Sequence, residues 1–316
     1  MSEVSILQRL MMRFSGGFVL AFHEITPERL TELVDCLQPA RAVHLSELIQ
    51  RSKNRKSTSG LFAITVDDGV GDNVRALSRL FQAKAWPATF YIPTQYLSTG
   101  EGMMFQWWRR LKPLLPRRKL ELQSGVIDLS IPGALDEWSK KMAALWYSKR
   151  LESYLPMTMV LAEIVMRETG MTRAEIQPAG PITWPEVEQL SRNDLIRFES
   201  HGVSHTAMSS LTEEELVFEM KNSRDVLSEH TGRPCRHLAY PFGGWQSIGS
   251  LAVATAERFY DSATTMTLGH VDFANPWLLP RIPFYPVNSK LYARLKILVT
   301  CTAVSPLRSA PVVARP

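Results

Sequence analysis

Cysteine is scarce, with three in 316 residues, at positions 36, 235 and 301, and no C-x-x-C pair. That excludes a disulfide framework and a zinc knuckle, and leaves each thiol as a small packing side chain. Glycine and proline, at 17 and 20 residues, together match average usage of about 12%, which excludes collagen, low-complexity disorder and mucin-like stalks. No run approaches the roughly 18 consecutive apolar residues of a membrane span. A secretion signal is also missing, because Arg9 and Arg13 interrupt the apolar stretch from Ile6 to Phe14. The chain is therefore expected to be cytoplasmic. Charge of one sign is lacking over most of the length. The net charge is +5, but residues 281–316 hold Arg281, Lys290, Arg294, Lys296, Arg308 and Arg315 with no acid, so the other 280 residues carry −1. A nearly neutral body excludes a nucleic-acid binder. The basic tail, residues 287–316, mixes Leu291, Leu295, Ile297 and Leu298 with Arg294 and Lys296. It is expected either to rest on an anionic membrane face or to pack as a terminal helix.

What is present is a globular composition, 45% hydrophobic and 21% charged, enough for a sizeable core. Short apolar runs alternate with amphipathic segments. Phe18–Phe22 reads as a strand, and Thr26-Pro27-Glu28 opens a helix with an N-cap and proline at its first position. Leu61–Val66 is a second strand, after an exposed basic loop over 51–60, and Asn73–Lys84 is a helix facing Val74, Leu77, Leu80 and Phe81 to the core. Ala88–Ile92, Leu195–Ser200, Arg236–Phe242 and Phe259–Thr264 complete the strands, with a capping box at Thr212–Glu215 opening a helix to about Ser228. This alternation predicts an α/β fold with parallel strands, read as a single domain over 1–316. Residues 98–182 break the rhythm and are expected to form a helical insertion, since a structureless loop of that length is improbable. Its Trp107, Trp108 and six basic residues from Arg109 to Lys119 fit a helix with inward tryptophans and solvated arginines, or a contact with an acidic glycan or a membrane surface.

The unusual polar residues all fall at strand C-termini: His23 after the first strand, Asp67-Asp68-Gly69 after the second, His201-Gly-Val-Ser-His205 after the fourth, and Tyr240-Pro-Phe-Gly243 at the fifth. Parallel α/β folds bind ligands and place catalytic groups at that edge. Two imidazoles and one carboxylate make a three-ligand site for zinc or a similar divalent ion, open to a water whose pKa falls to roughly 7. A second carboxylate can take that water's proton. Alone, His-x3-His also fits two surface histidines, and Asp-Asp-Gly also fits a turn. Several rival motifs are absent. Residue 202 is glycine where a zincin has glutamate, and residues 78 and 79 are Ser and Arg where a calcium loop closes with glutamate. No phosphate-cradling loop and no G-x-S-x-G elbow occur.

Taken in order, Thr65-Val-Asp-Asp-Gly69, Ser200-His-Gly-Val-Ser-His205 and Leu238-Ala-Tyr-Pro-Phe-Gly243 resemble the polysaccharide deacetylases of carbohydrate esterase family 4, which share the nodulation-protein-B-like homology domain. The likeness runs from about residue 18 to 285 apart from the insertion. It implies a distorted (β/α) barrel that removes acetyl groups from N-acetylhexosamine units with a divalent metal, zinc first and cobalt, nickel or iron otherwise. On the same resemblance Asp68, His201 and His205 are the metal ligands and Asp67 the general base. The turn from Tyr240 to Gly243 supplies an oxyanion N–H from Phe242. Val-Leu-Ala-Phe-His23 is similar to the poly-N-acetylglucosamine deacetylase branch of exopolysaccharide synthesis, which makes His23 the general acid; His270 is the rival, since other branches place that histidine late. Three positions depart from the pattern, Val66, Val70 and Phe242, the last losing a hydroxyl but keeping the amide. Many members also carry an arginine where Ala239 stands, and Arg281 is the candidate to replace it beside Asp67. The expected partner is an N-acetylated glycan or a lipid-linked precursor, with no nucleic acid and with peripheral membrane contact through the tail or the insertion. Two alternatives stand beside this reading. One is a related hydrolase acting on another acyl group, such as a formyl-amino sugar, and the other is a non-catalytic glycan-binding relative.

Overall fold

The computed structural model describes residues 16–38, 40–122, 125–146, 154–269 and 275–285, with positions 292 and 296. Its main sheet has strands β1 (Phe18–Phe22), β2 (Arg41–Ala42), β3 (Leu61–Val66), β4 (Ala88–Ile92), β7 (Ile196–Ser200), β8 (His237–Ala239), β9 (Ser262–Thr264) and β10 (Ile282–Pro283). The order is β10-β1-β3-β4-β7-β8-β9, with β2 beside β3, and all pairings are parallel. Every residue of β1, β3 and β4 is buried, as it must be when side chains fill the barrel on one face and helices cover the other. Closure is made by one extended segment. Leu279 bridges to Thr264 of β9, and three residues later Ile282 pairs with Leu20 of β1. The product is a distorted α/β barrel.

The register sets the site. Phe22 pairs with Val66, and Asp67 N–H donates to Phe22 C=O at 2.9 Å, so the residues after the two strands, His23 and Asp67, leave the sheet side by side. Ile92 pairs with Ser200, and Ser200 with Leu238, which brings His201 and the turn after Ala239 to the same rim. β8 and β9 are shorter than the apolar runs predicted. Residues 240–243 leave β8 as a turn, and Phe259 belongs to the helix Ser250–Phe259.

The segment 98–182 is not purely helical. Besides helices Met104–Leu111, Ala134–Trp146 and Tyr154–Thr169, it forms an antiparallel hairpin of β5 (Lys119–Leu122) and β6 (Gly125–Asp128). The reason lies in Lys-Leu-Glu-Leu, whose period of two buries Leu120 and turns the charges outward, a strand pattern inside a helical context. These elements enclose a second apolar cluster around Trp107, Trp108, Leu111, Trp138 and Val165. Trp108 meets Trp138 edge-on at 5.2 Å, while Arg109 and Arg110 stay exposed. The tryptophans therefore face inward. No described helix is long and apolar enough to cross a membrane. Nearly all of the basic tail lies outside the described residues.

Candidate active site

Asp68 and Gly69 follow β3 with φ of 77° and 66°, two consecutive left-handed residues, so the chain turns sharply off the strand. Gly69 has no alternative there, because a Cβ would stand 2.3 Å from Ile92 Cγ2. The turn is pinned from outside the barrel. Ile182 N–H donates to Gly69 C=O and Gly71 N–H to Gly180 C=O, both at 2.9 Å, as the chain returns from the insertion. His205 and Phe242 also hold positive φ, at 58° and 63°. Strained non-glycine backbone thus gathers at this rim, as it commonly does at functional sites.

The rim brings Asp68, His201 and His205 together, all buried, with ligand atoms within 4.8 Å of one another. His205 Nε2 lies 3.4 Å and His201 Nε2 3.7 Å from Asp68 Oδ1. That oxygen is buried and accepts no hydrogen bond. An orphaned carboxylate oxygen facing two imidazole nitrogens is costly by itself, and is the arrangement a divalent cation relieves. His201 Nδ1 lies 2.7 Å from the Ala239 carbonyl, which fixes the proton there and turns the Nε2 lone pair toward Asp68. Burial drops the His201 imidazole to about 4, so it stays a neutral ligand at physiological pH. Burial alone would raise the Asp68 carboxyl, yet His205, His23 and His201 hold it well below the usual carboxylate range. The donor set fits a metal.

Asp67 is treated differently. Arg281, fully buried on the segment that closes the barrel, donates from Nη1 and Nη2 to its two oxygens, each at 2.7 Å. Nη1 also reaches Thr65 Oγ1, Nε reaches the Thr265 carbonyl, both at 3.1 Å, and the guanidinium lies over the Tyr91 ring at 5.5 Å. Burial pushes Asp67 up, but Arg281, His201 and His23 together bring it below its ordinary value. The carboxylate is kept ionised.

His23 is half-buried and close enough to both carboxylates to help hold them below their ordinary values. His270 lies outside the described residues. Phe242 packs edge-on against His205 at 4.9 Å. Tyr240 contributes to the site only through its backbone, because its hydroxyl donates to the Trp277 carbonyl at 3.0 Å within the main core. One neighbour was not anticipated. Phe105, from the first helix of the insertion, lies 5.9 Å from the His205 ring, and Arg109 pairs with Glu24 beside His23 at 2.7 Å. The insertion therefore walls the site. A half-buried phenylalanine among inward tryptophans gave no separate signal.

Residues 136–256 match the family model described as polysaccharide deacetylase. That segment carries a polysaccharide deacetylase domain. Its chemistry is accordingly hydrolysis of non-peptide amide bonds. The match includes His201, His205 and the 240–243 turn and stops short of Asp67 and Asp68. Solved structures share the fold at low identity. A Streptococcus pyogenes deacetylase, PplD, in complex with acetate is 14% identical, with 90% of this chain and 98% of that chain covered and a TM-score of 0.59. The BpsB deacetylase domain of Bordetella bronchiseptica is 12% identical over 85% of this chain and 96% of that one, at 0.54. IcaB from Ammonifex degensii is 12% identical over 89% and 97%, at 0.50. No curated protein matches the sequence.

Proposed function

We propose that this chain removes the acetyl group from N-acetylhexosamine units of a glycan or glycan precursor in exopolysaccharide synthesis. The observation that carries the reading is the division of labour between adjacent carboxylates: Asp68 faces two imidazoles, and Asp67 faces an arginine. A divalent ion held by Asp68, His201 and His205, zinc in this reading, supplies Lewis acidity to a water and to the acyl oxygen. Asp67 accepts the water's proton, its orientation fixed by the two-point contact with Arg281. The Phe242 amide, turned by the positive φ of that residue, donates to the oxyanion, a contribution on the order of 3 kcal/mol. His23, at the end of β1, protonates the departing nitrogen. Phe105 and Phe242 flank His205 and limit water around it. The acetate found with the Streptococcus pyogenes neighbour is the acyl product this reading requires. A lipid-linked precursor on the cytoplasmic membrane face agrees with the basic tail.

The test is acetate release from N-acetylglucosamine oligomers, with and without chelator, followed by restoration with zinc or cobalt. Metal-dependent acetate supports the reading, and Asp67→Asn should then lower turnover by about 10²–10⁴-fold. Formate in place of acetate from a formylated analogue would refute the acetyl assignment. Glycan binding with turnover indifferent to Asp67→Asn would refute the enzyme.

A further inference from the structure

The helical stretch after the metal-binding loop contains a wide turn. Residues Glu213–Val217 and Ser223–Thr231 are α-helical, but Phe218–Asn222 between them is a π-helix. Such turns are rare and tend to sit at functional sites, because they spend hydrogen-bond geometry to re-aim a side chain. Here the side chains are inverted relative to ordinary preference. Phe218 is 55% exposed, whereas Glu219 is 6% exposed. Among the described residues no lysine, arginine or histidine forms an ion pair with that carboxylate. A buried acid persists only where its lone pairs are used.

They are used on one segment. Glu219 Oε2 accepts from Val203 N–H at 2.7 Å and from Ser204 N–H at 3.0 Å, and Oε1 accepts from Ser204 Oγ at 2.5 Å. These residues are the span between His201 and His205. The carbonyls of the same span face the opposite wall. Gly202 C=O accepts from Thr94 N–H at 3.2 Å, Val203 C=O from Gln95 N–H at 3.0 Å, and Ser204 C=O from the Tyr96 hydroxyl at 3.2 Å. The peptide planes are held from both sides, and the amide side rests on one carboxylate. Gly202, at φ 76°, lies so close that a Cβ there would meet Glu219 Oε2 at 2.9 Å. His205, immediately after the clamped residues, keeps its left-handed backbone with Nε2 aimed at Asp68.

We propose that Glu219 is a positioning residue that clamps the Val203–Ser204 amides from its π-helical turn, and so sets the spacing of His201 and His205 for the metal. The inference rests on the metal reading of that site. Reach, not charge, is what the geometry demands, and two substitutions separate them. Glu219→Gln keeps an oxygen at the same distance and loses the charge; Glu219→Asp keeps the charge and withdraws it by one methylene.

The experiment measures the zinc dissociation constant of the full chain by competition with a chromophoric chelator. Circular dichroism and melting of the metal-free protein serve as fold controls. Loss of a group supporting metal ligands typically costs 10–100-fold in affinity. Glu219→Ala and Glu219→Asp should fall in that range, while Glu219→Gln should stay within about threefold of the unaltered chain. Should Glu219→Ala fail to fold, the Asp and Gln variants decide alone. Unchanged affinity in Glu219→Asp, or a Glu219→Gln as impaired as Glu219→Asp, overturns the proposal while leaving the metal site standing. Absence of zinc binding by the unaltered chain overturns the metal reading itself, and the proposal with it.

Discussion

Replacing Arg281 by methionine keeps a long apolar stem and removes the guanidinium. Four hydrogen bonds go with it, to Asp67 Oδ1 and Oδ2, Thr65 Oγ1 and the Thr265 carbonyl. Asp67, only 3% exposed, is left charged and without its counter-ion. Breaking one side of a buried pair costs about 3–5 kcal/mol, since the remaining charge is uncompensated. For a chain of this size that is a melting-temperature drop of roughly 5–8 °C. The pH dependence has a definite sign. In the unaltered protein Asp67 titrates below its unfolded value, so its contribution is complete above about pH 4 and is lost as pH falls. In the variant burial dominates, the carboxyl titrates above the unfolded value, and the stability gap is widest at neutral pH and closes toward pH 4. The assay is urea unfolding of the metal-free protein between pH 4 and 8, for Arg281→Met, Asp67→Asn and the double variant. The double variant should be more stable than Arg281→Met alone, because the orphaned charge is gone. Additivity of the two single changes within about 0.5 kcal/mol would falsify the buried pair as an energetic unit. Unchanged turnover in a folded Arg281→Met would refute its part in orienting the base.

Other perturbations read other parts of the fold. Burial drops His237, which lies 2.9 Å from Ser262 Oγ through Nδ1, from 6.5 to about 4. Its stabilisation is present above about pH 6.5 and falls by roughly 3 kcal/mol as pH drops toward 4, so His237→Asn should flatten that slope in acid unfolding curves. Glu199 has the opposite sign: burial lifts it from 4.5 to about 7 although Arg236 and His237 amides donate to it. Stability should therefore fall by about 3 kcal/mol as pH rises from 4.5 to 7, and a Glu199→Gln variant that keeps this fall would refute the assignment. Trp107→Ala, in the buried second cluster, should cost about 3–5 kcal/mol and expose residues 104–176 to limited proteolysis before the barrel; cleavage in the barrel first would contradict separate packing of the insertion.

The barrel strands were legible because full burial on both faces writes them as uninterrupted apolar runs, as in Phe18–Phe22, Leu61–Val66 and Ala88–Ile92. β2 and β10, two residues each, carry no periodicity to read. The rim clusters were legible for a similar reason: polar residues directly after apolar runs must emerge at one edge. Long-range partners were not. Arg281 stands 214 residues from Asp67, and only a missing arginine at Ala239 pointed to it. Glu219 left a fainter mark. It sits with Leu216, Met220, Ser223 and Leu227 on the inward stripe of its helix, an acid where the pattern asks for an apolar residue. The wide turn itself has no sequence signature, and Glu219's partners on the far side of the groove lie 15 to 16 residues away in the chain.

Two neighbouring carboxylates pose a problem that one cation between them could solve. The structure divides the solution. Arg281 takes Asp67 through both oxygens and neutralises it without exposing it to solvent. Asp68 is left with imidazoles alone, and imidazoles ligate only as neutral bases. The Asp68–His201–His205 donor set then carries one negative charge, and a divalent ion held there would convert it to one positive charge. That reversal would stabilise negative charge developing on an attacked acyl oxygen, in a site that water does not freely screen. Had Asp67 remained unpaired, the local charge with the ion would be near zero and most of that stabilisation would be forfeited. The buried arginine thus has an electrostatic reason to be where it is, beyond holding the barrel closed.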